Sequence, residues 1–174
     1  LNAIDGKYDV IMVDAYQDIT IPFQMSSTEF FTLVRDHLTE DGVMVVNMNM
    51  RGSGEDSINA YLADTISSVF GEVYTVDVKG STNRELFASN NPQMLENLHL
   101  HREKITDEGL YAMMGAVSDN LTVYEAGERI MTDDKAPVEL LGMRVIDELI
   151  QGEVAVYKNL YDEKGIKGVL DSLL

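Results

Sequence analysis

Cysteine is absent from the 174 residues, which excludes disulfides and thiolate metal sites. The same absence fits a reducing cytosol, and a cytoplasmic location is expected. No apolar run approaches the ~18 residues needed to cross a bilayer, and the start of the chain lacks the pattern of a secretion signal. Basic residues are scarce, 13 against 30 acids, for a net charge of −17. A chain so acidic repels a phosphate backbone, so nucleic-acid binding is not expected. Its field attracts cations, polyamines and basic peptides among them, although acidity for solubility alone produces the same balance. Histidine is also sparse. His99 and His101 stand two apart, which is not helical ligand spacing, and there is no HExxH pattern. His37 falls at the boundary of an amphipathic helix, and no metal site is expected.

What is present is ordinary globular material, 45% hydrophobic and 25% charged, enough for one domain over residues 1–174 with a proper core. The ten methionines scatter over strands and helices and read as core filler. The stretch YDVIMVD at 8–14 is a short continuous apolar run, the pattern of a strand buried on both faces. Ser26 with Glu29 three residues on forms a capping box, followed by an apolar helical face of Phe30, Phe31, Leu33, Val34 and Leu38. Gly42 suits the left-handed position that closes this helix, and a second strand follows at 43–48. Strand, helix and strand with short connections make a βαβ unit.

The loop RGSG at 51–54 leads into a helix with Ile58, Tyr61, Leu62, Ile66, Val69 and Phe70 at helical spacing, ended by Gly71. Strands at 72–78 and 84–89 are joined by a turn too short for a crossover helix, so they form an antiparallel hairpin. Helices are expected near 92–103, 107–118 and from Pro137 to 150, with 128–137 a loop and further amphipathic helix in the last twenty residues. The fold class is therefore α/β, with parallel strands ending in an antiparallel hairpin and additional C-terminal helices.

Asp14 is the residue that this pattern isolates. Ligands of twisted α/β sheets sit beyond the carboxyl ends of the strands, and a buried strand has no use for a charge. A carboxylate released there is placed to meet a substrate. The plainer reading makes Asp14 and Asp18 turn residues or anions at the approach to a helix.

Three passages together resemble the spermidine synthase-like family, whose sheet is the Rossmann-like class I methyltransferase type. YDVIMVDAYQDITIPFQMSSTEFF follows the family's strand ending in aspartate, then loop, proline and "TxEF" helix start. LTEDGVMVVNM resembles its "LxPDGxxxxN" passage, and TDDKAPVELL at 132–141 resembles a "TDDxAPVE" stretch of a bacterial branch often fused to membrane segments. The resemblance covers the whole chain but only the C-terminal half of the family fold. A complete member carries an upstream Gly-rich turn and an acid that hold the nucleoside. RGSGED at 51–56 lies in the wrong place for that role and reads as a turn with an N-cap. A piece of a larger protein is therefore expected, cytoplasmic itself or the cytoplasmic part of a membrane-attached protein. LNAIDGKYD, which resembles a helix tail and connector, suggests the same.

The resemblance implies aminopropyl transfer from decarboxylated S-adenosylmethionine, or a related sulfonium, to a cationic small-molecule amine. It makes Asp14 the catalytic aspartate. Family members usually carry a second acid three residues on, in "DxxDP"; here that place holds Gln17, and the acid is displaced to Asp18. Tyr16 either packs against a substrate's alkyl chain or shields the loop. Asp133 and Asp134 either line the cationic site or cap the helix that begins near Pro137. Substrate-binding residues are thus expected among Tyr16, Gln17, Asp18, Asp133 and Asp134. S-Adenosylmethionine-dependent methyl transfer is an alternative on the same scaffold, and a non-catalytic polyamine-binding or regulatory domain is another. A homodimer is expected, because the strand at 8–14 seeks a pairing partner.

Overall fold

A computed structural model describes residues 3–14, 22–49, 57–81 and 83–172. Strand β1 (Tyr8–Val13) is followed by a short 3-10 turn at Phe23–Met25 and by helix α1 (Thr28–Asp36). Next come β2 (Leu38–Asn49), α2 (Ile58–Ser67), and a hairpin of β3 (Glu72–Asp77) and β4 (Asn83–Ser89). Helices α3 (Met94–Arg102) and α4 (Glu108–Ser118), the short strand β5 (Thr122–Val123) and helix α5 (Val138–Ser172) complete the chain.

The sheet order is β1-β2-β4-β3-β5. β1 and β2 are parallel, whereas β4 runs antiparallel to both β2 and β3. The second arm of the hairpin thus inserts between β2 and the first arm. This is the α/β sheet expected, parallel strands ending in an antiparallel hairpin. Gly80, at φ 78°, lies in the hairpin turn, where a residue without Cβ meets little strain.

One face of the sheet carries the core. Alternation along β2 buries Met44, Val46 and Met48, and along β4 Leu86 and Ala88, beneath Phe31 and Val34 of α1 and Leu62 and Ile66 of α2. Met131, Val138 and Leu141 close this cluster from the C-terminal side. Past Leu141, helix α5 is largely exposed, with Met143, Ile150 and Val154 all more than half exposed. It runs on past residue 150, where its end was expected, to a break at Gly165 (φ 63°) beyond which a separate short helix reaches Ser172.

Three local expectations need correction. The cap of α1 is Ser27, not Ser26: the Ser27 hydroxyl accepts from the Phe30 N–H at 3.2 Å, while Ser26 donates back to the Phe23 carbonyl. Gly42 does not close α1. The helix ends at Asp36 with His37 as its cap, and Gly42 lies within β2. A Cβ there would stand 2.9 Å from the Leu38 Cβ and 3.0 Å from the Thr39 backbone, so close approach requires the glycine, not a left-handed backbone. The approach occurs where the β1–β2 register jumps, from Tyr8 opposite Leu38 to Val10 opposite Val43. Finally, among the described residues β1 pairs with β2 alone, and it is buried on one face only. Val13 is 4% exposed, but Val10 is 56% and Met12 73% exposed.

Among the described residues, no helix is long and apolar enough to cross a membrane. Likewise, no group of three or more His, Asp or Glu among them is placed to hold a metal ion.

Candidate active site

Val13 is buried and Asp14, the next residue, is exposed, so the strand leaves the core at the aspartate. Because β1 and β2 are parallel with Val13 opposite Val46, Asp14 falls beside Asn47. The Asn47 Nδ2 donates to the Asp14 carboxylate at 3.5 Å, the long end of such contacts. One strand further on, Asn47 is the register partner of Glu85 on β4. Alternation puts all three side chains on the sheet face opposite the core. The result is a polar row, aspartate, amide and glutamate, across three adjacent strands at the carboxyl end of the parallel pair.

The row has a charge problem built into it. Burial, and after it the negative charge of Asp14, push the Glu85 carboxyl above its ordinary range. The Asn47 Oδ1 is shut off from water and has no hydrogen-bond partner among the described residues. Below the row, the same face is apolar. Val10, Val43, Val45 and Phe87 form the floor of a cavity of about 480 Å³, walled by α3 and α4 through Met94, Leu98, Met114 and Val117. A second depression, about 730 Å³, lies at the opposite end of β2 among Lys7, Leu38, Thr39 and Pro92, remote from Asp14.

Asp133 does not cap α5. Its carboxylate accepts from the Ser27 hydroxyl and its N–H donates to Glu29 Oε2 at 3.1 Å, which ties residue 133 to the start of α1. Thr28 N–H completes the junction by donating to the Met131 carbonyl at 2.9 Å. Hydrogen bonding, led by its own backbone N–H and supplemented by Thr28 and Asp133, holds the Glu29 carboxyl below the usual range against a smaller effect of burial. Asp134 is exposed in the turn closed between Thr132 and Lys135. Since α1 follows β1, this junction lies at the same end of the sheet as Asp14. Tyr16, Gln17 and Asp18 lie outside the described residues.

A buried clamp that sequence reasoning missed holds this junction from behind. Asp64 of α2, fully buried, accepts from the Tyr124 hydroxyl at 2.6 Å and the Gly127 N–H at 2.9 Å. Its other oxygen takes the Arg129 N–H and guanidinium, each at 3.1 Å. Burial pushes the Asp64 carboxyl up, but these four donors outweigh it and hold the group below its ordinary value. Thr65 alongside accepts from the Met131 N–H at 3.0 Å. Segment 124–131 is thereby fixed against α2, and residues 131–133 reach α1 in register. One signal was available: Asp64 is the sole charge in the helix INAYLADTIS.

Among the comparisons with known proteins, a curated relative agrees with the motifs. No protein-family model matches the chain. A "Probable polyamine aminopropyl transferase" of Bifidobacterium longum (strain NCC 2705) is 49% identical over 187 aligned positions, which take in 98% of this chain. The chain spans 42% of that relative's length. Human methyltransferase-like protein 13 in complex with SAH is 26% identical, with a TM-score of 0.43 over 68% of this chain and 50% of that one. A probable spermidine synthase from Corynebacterium glutamicum is 17% identical, with a TM-score of 0.38 over 73% of this chain and 50% of its own. The resemblance to the spermidine synthase-like family is borne out.

Proposed function

We propose that this chain forms the acceptor side of an aminopropyltransferase, which moves an aminopropyl group from decarboxylated S-adenosylmethionine to a polyamine-type amine. The observation that carries the reading is Asp14, exposed at the end of β1 with the Asn47 amide beside it, in a chain half-identical to a probable polyamine aminopropyl transferase. In the reaction, a neutral amine nitrogen attacks the methylene carbon next to the sulfonium. The new C–N bond forms as the C–S bond breaks, and sulfur leaves as a neutral thioether. The nitrogen then carries a surplus proton, and the Asp14 carboxylate orients the amine and accepts that proton. The net charge of −17 favours the approach of a cation.

The test is Asp14→Asn in the full-length protein. Turnover should fall by two orders of magnitude or more, while nucleoside binding changes less than threefold. Undiminished aminopropyl transfer in a folded variant would remove Asp14 from the mechanism. Transfer of a methyl group by the wild type, with no aminopropyl transfer, would replace the reaction itself. Amine binding without either transfer would make the domain a polyamine-binding module.

A further inference from the structure

The row that holds Asp14 contains a second carboxylate, and its place suggests a role. We propose that Glu85 is the distal anchor of the amine subsite, holding the far ammonium of a diamine whose near nitrogen lies at Asp14; this rests on the aminopropyl-transfer reading above. The familiar position for a second acid, three residues after Asp14, is occupied by Gln17. Glu85 reaches the same face from a different element, the inserted hairpin arm β4.

Three observations converge on it. The first is register. Asp14, Asn47 and Glu85 occupy one row, and two strand spacings of about 4.8 Å separate the outer pair by roughly 10 Å at the backbone. Side chains that lean inward from such a separation suit a short diamine, with one nitrogen at each acid. The second is the Asn47 Oδ1, buried and without a donor among the described residues, between the two acids. A buried acceptor left so costs on the order of 1–3 kcal/mol, and a turn of the Asn47 amide would let an amine N–H of the ligand satisfy it. The third is electrostatic. Burial and the charge of Asp14 both oppose ionisation of Glu85, and the positive charge of a cation seated between the acids offsets them. The apolar floor of Val45 and Phe87 next to the row suits the methylene chain.

The two ends of the ligand then differ in kind. The near amine attacks in its neutral form and then gives its surplus proton to Asp14, whereas the distal amine stays charged and only anchors. Glu85 therefore sets which amines are accepted, and Asp14 serves the chemistry. A monoamine would use the near end alone.

Calorimetric titration of the full-length protein with 1,4-diaminobutane and, separately, with butylamine tests this. The wild type should bind the diamine at least tenfold more tightly than the monoamine. In Glu85→Gln, which keeps the shape and removes the charge, that preference should shrink to threefold or less, with butylamine affinity unchanged. Glu85→Met, of similar volume, should behave alike and serves if the glutamine variant does not fold. A retained diamine preference in either folded variant would overturn the role of Glu85 and leave the proposed reaction standing. Equal binding of the two amines by the wild type would do the same. Binding of neither amine by the wild type would sink the proposed function and this inference together.

Discussion

The two faces of the sheet are built from the same strands and obey different rules. On one face, Met44, Val46 and Leu86 are fully buried under α1 and α2 in a core of mostly apolar side chains. On the other, Val43, Val45 and Phe87 are only partly buried, and the apolar floor gives way to a row of acids and an amide. Helices α3 and α4 stand off this second face far enough to leave a cavity of about 480 Å³. The first face therefore provides stability, and the second leaves a cavity beside a polar row. Period-two alternation lets each strand serve both faces without compromise.

The largest effect that sharpens this contrast is on stability. Phe31 is fully buried and meets Phe30 edge to face at 5.2 Å, so Phe31→Ala should cost about 3–5 kcal/mol in urea denaturation. Phe87→Ala on the other face should cost only about 1–2 kcal/mol, since less of its surface leaves water on folding. Equal costs would mean that the second face is as tightly packed as the first.

The next effect concerns the clamp that joins the two regions. Asp64→Asn keeps the shape but removes the charge facing Arg129 and the Tyr124 hydroxyl, and should cost about 2–3 kcal/mol. The sign of its pH dependence follows from its depressed value. The folded carboxyl lies below the unfolded one, so its stabilisation is complete above the unfolded range near ~3.9 and is lost as pH falls through the folded value. Wild type and variant should therefore converge in stability in strong acid, separate as pH rises through the folded value towards about 4, and keep a constant gap above it. A constant gap across that window would show that the charge of Asp64 is not what the clamp uses.

Much of the scaffold was legible because periodicity is local. The apolar run of β1, the face of α1 and the hairpin all follow from spacing within a dozen residues. What depends on partners was harder. YDVIMV is apolar at most positions, and such a run does not tell which of its faces will be covered; among the described residues only the face of Val13 is. Gly42 follows two acids after a helix and so resembles a helix stop, but the close approach of Leu38 explains it. Asp14 could be found because an apolar run ends on it. Glu85 could not, since its approach to Asp14 depends on β4 inserting beside β2. Asp133 was singled out by its motif, and its partners Ser27 and Glu29, more than a hundred residues earlier, appear only in three dimensions.

The smallest expected effect lies at the edge of the second face. Val10 and Met12 present apolar side chains on a strand whose outer edge pairs with no described residue, and such edges invite association. Residues 1–174 expressed alone should form a dimer, since a closed two-fold arrangement covers both copies of the strand at once. The net charge of −17 opposes this, but exposed charges are screened beyond roughly 8–10 Å at moderate salt, and apolar burial is not. Met12 is 73% exposed, so Met12→Lys should leave the fold intact. A charge on the edge strand should weaken the dimer about tenfold, or about 1.4 kcal/mol, in sedimentation equilibrium. Adding a positive charge to so acidic a chain reduces its overall repulsion, so a weaker dimer would identify the strand, not net charge, as the contact. A strictly monomeric wild type at high protein concentration would show that the exposed face of β1 is tolerated in water, and the contrast between the faces would then concern ligand binding alone.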